Sequence, residues 1–393
     1  MYKFRIIAGS LVLGFALLNS RCIAQERELT FKDVVEKFAA DEGVINGLSI
    51  APHADASFSV ALCDQNNRVS VSIGKGARWR KIVVDKVYPS RVSVKLLDLD
   101  GDQKVELLVA STSLEVFKIA GEKLNSAWAS DETLNIDDIR PRIELADLNN
   151  DGKNELVVLN YKTNTKTDDE VTDSLYVYSI ETMKESLRLK VIDSTTLRDE
   201  DEHSATAGLA IGDFVDDPKN EIVVGNDNGN LWLLRLEDNK LSVLATAKLP
   251  KGGAIGSGLS RANMDQDSQD ELLVGSNAGN IFVCEFDRNY QANWIGNLEV
   301  GRLAYGVTAI DLNGDGVDEF ISSSGHDGYS GMTKADCVFQ VFEFKDGLLV
   351  EKWKQQTVDS PRPLIRDVDG DGMPELILFS DYGRGTQVDV IKL

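Results

Sequence analysis

A nine-residue acidic loop recurs along the chain, and its residue types and spacing suit the coordination of a hard cation. The clearest copies are D-L-D-G-D-Q-K-V-E from Asp98, D-L-N-N-D-G-K-N-E from Asp147, D-L-N-G-D-G-V-D-E from Asp311 and D-V-D-G-D-G-M-P-E from Asp367. In each copy positions 1, 3, 5 and 9 are acidic or Asn, and position 7 can offer a backbone carbonyl. Calcium takes about six to eight oxygen ligands at flexible geometry, so carboxylates alternating along a tight loop can turn inward onto one ion. The candidate ligands are Asp98, Asp100, Asp102 and Glu106; Asp147, Asn149, Asp151 and Glu155; Asp311, Asn313, Asp315 and Glu319; and Asp367, Asp369, Asp371 and Glu375.

Two weaker copies depart from the pattern. The loop from Asn263 offers Asn263, Asp265, Asp267 and Glu271 but opens on an amide and has Ser268 at position 6. The loop from Asp213 has Val215 at a ligand position and Pro218 at the bend, and is expected to be free of metal. In the first loop Gln103 replaces the position-6 Gly of the other strong copies, which weakens the expectation of a sharp turn there. An EF-hand is excluded, because it needs a bidentate Glu at position 12, and here that position is Val109, Val158, Ser322 or Leu378 inside an apolar run. The competing structural reading is that the Asp side chains cap turns through backbone amides. It leaves the convergence of several carboxylates unexplained, since two unit charges about 4 Å apart repel by roughly 4 kcal/mol at an effective dielectric of 20.

The elements around the loops must be strands. Short aliphatic and β-branched runs alternate with Gly, Asn and Asp clusters, and no helical period persists. Around Asp98, Val92 to Leu97 leads in, Glu106 to Ala110 leads out, Leu114 to Ile119 follows and Ala127 to Trp128 begins a fourth segment. The loops begin at 98, 147, 213, 263, 311 and 367, a period near 50 residues, which is the signature of a propeller or solenoid. A degenerate seventh copy is read near Ala51, where A-P-H-A-D-A-S-F-S-V-A-L keeps only the trailing apolar run. Four strands per unit make a propeller blade, so the expectation is an all-β, seven-bladed β-propeller of four-stranded antiparallel blades.

After the last loop only Glu375 to Phe379 and Gln387 to Leu393 remain, which leaves the final blade one strand short. Thr30 to Phe38 is read as the strand that fills it, closing the ring by pairing of the N- and C-terminal strands and leaving no open edge. The alternative for the same segment is a short capping helix burying Phe31, Val34, Val35 and Phe38. Trp79, Trp128, Trp294 and Trp353 fall in the outermost strands and Trp232 in a third strand, a recurrence expected of packing rather than of a ligand platform.

Residues 1–24 read as a secretory signal peptide: Lys3 and Arg5, an apolar stretch from Ile6 to Leu18, then Cys22-Ile23-Ala24 ahead of Gln25. The stretch is too short to span a bilayer, and Arg21 before Cys22 argues against lipidation. Residues 25–393 form the single propeller domain. Loss of Lys3, Arg5 and Arg21 leaves 39 of the 42 basic residues against 64 acidic ones, and 39 minus 64 is a net charge of −25. Such a field disfavours nucleic acid and favours cations. Cys63, Cys284 and Cys337 lie in different units without a C-x-x-C pair, as expected of buried structural thiols.

D-L-N-G-D-G-V-D-E-F-I and D-V-D-G-D-G-M-P-E-L-I-L resemble the repeat of the FG-GAP and VCBS families, which is similar to the blades of the integrin α-subunit head. The resemblance spans nearly all of residues 25–393 through six copies, although the FG and GAP signatures themselves are absent. It implies a seven-bladed propeller with Ca2+ in the loop joining the first two strands of certain blades, held by the residues named above.

The longer spacings arise from Tyr161 to Asp173, Arg198 to Ala207 and Ser322 to Asp336, which are expected on the face opposite the acidic loops if those loops join first and second strands. Long loops on a rigid scaffold carry binding, so a protein or glycan ligand is expected on that face. Ser323, His326, Asp327 and Tyr329 are grouped in one of these loops, but adjacency in sequence is not a triad. The histidines His53, His203 and His326 lie in three different units, and no H-E-x-x-H, phosphate loop or nucleophile elbow is present. The expectation is an exported, monomeric, calcium-binding propeller with no transmembrane segment and no nucleic-acid partner, acting as a protein- or glycan-binding module in the periplasm, at the cell surface or outside the cell. Catalytic residues are not expected. Two alternatives are a calcium-using polysaccharide lyase or hydrolase, with Lys162, Lys166, Tyr329 and Arg384 as its few candidates, and a structural module of an envelope assembly.

Overall fold

The computed structural model describes residues 45–53, 57–64, 66–75, 78–89, 92–130, 142–160, 173–183, 186–197, 206–265, 267–300, 304–324, 337–345, 348–357, 362–366, 375–380 and 387–392. The signal-peptide reading, the Thr30 to Phe38 strand, the loop from Asp367 to Asp371, His203, His326, Asp327, Tyr329, Lys162, Lys166 and Arg384 lie outside these residues. All regular structure among them is β, in six four-stranded antiparallel sheets and one three-stranded sheet, met one after another along the chain. No helix among the described residues is long and apolar enough to cross a membrane.

Within each sheet the strand order follows the chain. The second sheet, for example, runs Ser93–Leu97, Glu106–Ala110, Leu114–Ala120 and Lys123–Ala129. Its fourth strand therefore begins at Lys123, four residues before the Ala127 read from the sequence. The reason is that this strand lies at the sheet edge and alternates polar with half-buried residues, so its first half carries no apolar run.

The second strands show why neighbouring sheets must stack. Most carry an apolar run after the leading Glu, as in Leu107-Leu108-Val109-Ala110, because side chains alternate between two faces and both faces are covered. Leu107 and Val109 enter the core shared with the first sheet, while Leu108 and Ala110 enter the core shared with the third. The same division repeats down the chain, giving a core between each successive pair of sheets. Each buried Leu, Ile, Val or Phe contributes about 1.5–3 kcal/mol.

The outermost strands carry a recurring register shift against the third strands, at Val116/Phe117, Val177/Tyr178, Leu233/Leu234, Val283/Cys284 and Val341/Phe342. A bulge of this kind twists an edge strand and blunts it against pairing with another chain. Trp79, Trp128, Trp294 and Trp353 all sit in outermost strands and Trp232 in a third strand, as read. They serve packing: Trp294 meets Phe282 edge-on at 5.5 Å and Trp353 meets Phe339 at 6.0 Å. Cys63 and Cys284 are buried thiols. Ser323, expected in a polar loop, is instead buried in the strand Glu319–Ser324, paired with Gly306 and Phe339.

Candidate metal loops

Every described acidic loop joins the first and second strands of its sheet, and its position-9 Glu opens the second strand. Position 12 accordingly lies in that strand, as the exclusion of an EF-hand requires. The degenerate copy near Ala51 holds the same place, between Ile45–Pro52 and Phe58–Asp64, and there His53 Nε2 meets Ser59 Oγ at 2.7 Å.

One hydrogen bond recurs in all five described acidic loops. The position-9 carboxylate reaches back to accept the backbone N–H of position 2: Leu99 to Glu106 at 3.0 Å, Leu148 to Glu155 at 2.9 Å, Phe214 to Glu221 at 2.9 Å, Met264 to Glu271 at 2.6 Å and Leu312 to Glu319 at 2.9 Å. These glutamates are buried, so each places a carboxylate under its own loop. The other acidic positions cap the turn. At position 1, Asp98, Asp147 and Asp311 each accept the N–H of position 6, and at position 5, Asp102, Asp151, Asp267 and Asp315 each accept that of position 7. Hydrogen bonds of this kind, led by the Gly316 N–H, hold the Asp311 carboxyl below the usual carboxylate range.

In the second, third and sixth sheets the turn takes two residues in the left-handed region. Position 4 is Gly101, Asn150 or Gly314, with φ of 74°, 60° and 76°, and position 6 is Gln103, Gly152 or Gly316, with φ of 66°, 82° and 86°. Gln103 thus keeps the turn that its side chain made doubtful, in a conformation that costs a non-Gly residue roughly 1–2 kcal/mol.

Successive loops are joined edge to edge through position 8. Asn220 Nδ2 donates to Asp147 O at 2.8 Å, and Asn150 Nδ2 answers by donating to Pro218 O. Asp213 N donates to Asp270 Oδ2 at 2.9 Å while Asp270 N donates to Asp213 O at 2.7 Å. Asn263 N and Asp318 Oδ2 meet at 2.8 Å, with Asp318 N returning to Asn263 O at 2.7 Å. The loops of the third to sixth sheets therefore form one continuous acidic face.

Among the described residues three carboxylates converge in two places. Asp98, Asp100 and Glu106 each bring an oxygen within 4.8 Å of the others, and so do Asp265, Glu271 and Glu285. Asp102 and Asp267 belong to neither group and turn to the backbone instead. Two buried oxygens of these groups, Asp98 Oδ1 and Glu271 Oε1, have no hydrogen-bond partner. A cluster of hard oxygens with orphaned atoms fits a divalent cation. Burial pushes the Glu106 carboxyl up to about 7 and that of Glu271 up to about 8, with neighbouring Asp charges adding to both.

The side chain that faces each position-9 Glu from the third strand escaped the sequence reading. In the second sheet it is Lys118, paired with Glu106 in register, and its Nζ lies 2.7 Å from Asp100 Oδ2. In the fourth it is Arg235, whose Nε donates to Glu221 Oε1 at 2.8 Å and whose Nη2 donates to Asp217 Oδ2 at 2.7 Å. In the fifth it is Glu285, which joins the carboxylate cluster. In the third it is Ser179, which lines a cavity of about 300 Å3 together with Asn149, Asp151, Glu155 and Lys190. In the sixth it is Glu343, held by Lys352 Nζ at 2.6 Å. A charged residue interrupting an apolar third strand, as in L-W-L-L-R-L and I-F-V-C-E-F, was the signal.

No protein-family model matches the chain, and no curated protein does either. Solved structures do match. The chain is similar to a protein from Lactobacillus plantarum at 13% identity and a TM-score of 0.53, over 80% of this chain and 86% of that one. It is similar to a chain of the BBS1N–ARL6DN complex at 11% identity and a TM-score of 0.52, over 89% and 93%. A chain of a mitotic checkpoint complex aligns over 99% of both at 11% identity and a TM-score of 0.55. These neighbours are β-propeller proteins, and at such identities the likeness shows the fold alone.

Proposed function

We propose that the chain is an exported, calcium-binding β-propeller that presents a protein- or glycan-binding face opposite its acidic loops. Six inter-sheet cores of one build and a last sheet of three strands among the described residues support a closed ring, for which Thr30 to Phe38 is the proposed fourth strand. The resemblance of the loops to the FG-GAP and VCBS repeat supports this reading. The residues from Asp147 to Glu155, Asn263 to Glu271, Asp311 to Glu319 and Asp367 to Glu375 would hold the ions, whereas the group of Asp98, Asp100 and Glu106 already carries the Lys118 ammonium against Asp100. Bound calcium would neutralise buried carboxylates and fix the loop face as one rigid rim.

The observation that carries this reading is the convergence of Asp265, Glu271 and Glu285, with the buried Glu271 Oε1 left without a hydrogen-bond partner. Turn capping accounts for positions 1 and 5 but not for that convergence. Protein binding is supported more weakly, by neighbours whose structures are complexes, BBS1N with ARL6DN and the mitotic checkpoint complex. In sequence, residues 161–172 and 325–336 fall between second and third strands, which supports assigning the ligand to them. The test is to replace each of these segments with a short Gly-Ser turn and measure capture of envelope proteins and binding to a glycan array, with calcium present. Loss of one specific ligand with an unchanged melting temperature supports the reading. Retention of every ligand by both variants contradicts it.

A further inference from the structure

The five described loops answer one need in different ways. The position-9 Glu of each uses Oε2 to close the turn, which leaves Oε1 buried and in want of a donor. In the third and sixth sheets the position-3 amide supplies it, Asn149 Nδ2 to Glu155 at 3.2 Å and Asn313 Nδ2 to Glu319 at 2.6 Å. In the fourth sheet the Arg235 guanidinium supplies it, with Glu221 wholly buried and Arg235 4% exposed. In the second sheet the Lys118 ammonium lies against Asp100, inside the Asp98, Asp100 and Glu106 group. In the fifth sheet nothing supplies it: Glu271 is 1% exposed, Oε1 has no hydrogen-bond partner, and both the position-3 residue and the facing third-strand residue are acids, Asp265 and Glu285.

We infer that the residue facing the loop Glu from the third strand selects which loops take a divalent cation: Glu285 completes a site with Asp265 and Glu271, whereas Lys118 and Arg235 serve as built-in cations that make the second and fourth loops independent of metal. The inference rests on the calcium reading above and reverses the ranking that the loop motif alone suggests. The Asp98 copy has a full set of acids but carries its own ammonium. The Asn263 copy has the poorer loop but gains a carboxylate from outside it. Three carboxylates with no internal counter-charge carry up to three negative charges in a half-buried site, and one calcium ion supplies the compensation that Lys118 supplies three sheets earlier and Arg235 one sheet earlier.

The experiment is calcium titration calorimetry, with bound metal counted by elemental analysis, on the mature wild type, Glu285→Gln and Lys118→Ser, each checked by circular dichroism. Ser is the residue that the third sheet carries at the same place. Glu285→Gln is expected to lose one ion or to weaken one site at least about ten-fold, and Lys118→Ser is expected to gain one. The opposite directions separate the effect from a general loss of folding. Wild-type binding that neither substitution changes would overturn the inference while leaving the calcium reading in place. A wild type that binds no calcium would overturn both.

Discussion

Lys118 Nζ donates to Asp100 Oδ2 at 2.7 Å, and the Asp100 side chain is only 1% exposed. The ammonium is therefore a structural counter-ion for a buried cluster rather than a surface pair. Breaking a buried pair by removing one partner costs about 3–5 kcal/mol. Lys118→Met, which keeps most of the apolar stem, should lose stability on that scale in chelator, and millimolar calcium should restore part of it. Urea unfolding with and without calcium measures both.

Gln103 holds φ at 66° where Gly152 and Gly316 stand in the equivalent turns. Gln103→Gly should relieve the strain and raise stability by about 1 kcal/mol, after the larger unfolded-state entropy of Gly is subtracted. A fall in the denaturation midpoint would show that the Gln side chain contributes more than its backbone costs.

The fourth loop has a pH dependence of definite sign. Burial pushes the Glu221 carboxyl up to about 7 and that of Asp213 up to about 6, from ordinary values of 4.5 and 3.8. The folded state therefore holds protons that the unfolded chain has released. The stability contributed by these groups is present in full below about pH 4 and is lost as pH rises through about 7. In chelator, Glu221→Gln should flatten the fall in melting temperature between pH 5 and pH 8 relative to the wild type, while an equal slope in both proteins would remove Glu221 as a cause.

Asp318 and Asn263 exchange two hydrogen bonds between adjacent loops, at 2.8 and 2.7 Å. The Asp318 side chain supplies one of them, so Asp318→Ala should cost about 1–2 kcal/mol. The local effect should appear as faster amide exchange at Asn263, which native-state hydrogen exchange reads directly.

Much of this architecture was legible in the residues. The 50-residue period, the apolar runs after each loop and the tryptophans in the outer strands all lie where their patterns place them, because each depends on local order alone. The fourth strand of the second sheet was not legible over Lys123 to Ser126, since an exposed edge needs no apolar signal. The candidate site was half legible. Spacing found Asp98, Asp100, Glu106, Asp265 and Glu271, but Lys118, Arg235 and Glu285 join their loops only through antiparallel register. Gln103 misled because position 6 demands a backbone conformation rather than a residue type, and Ser323 misled because a Ser-rich run can complete a buried strand.

The most direct test of the calcium account is a thermal melt of the protein after chelation, repeated across a calcium titration with bound metal counted. The account predicts bound calcium and a rising melting temperature, equivalent to about 2.7 kcal/mol for each site when free calcium is a hundred-fold above its Kd. A melt that calcium leaves unchanged, with no metal bound, would contradict it and reduce the loops to turn caps closed by their own glutamates.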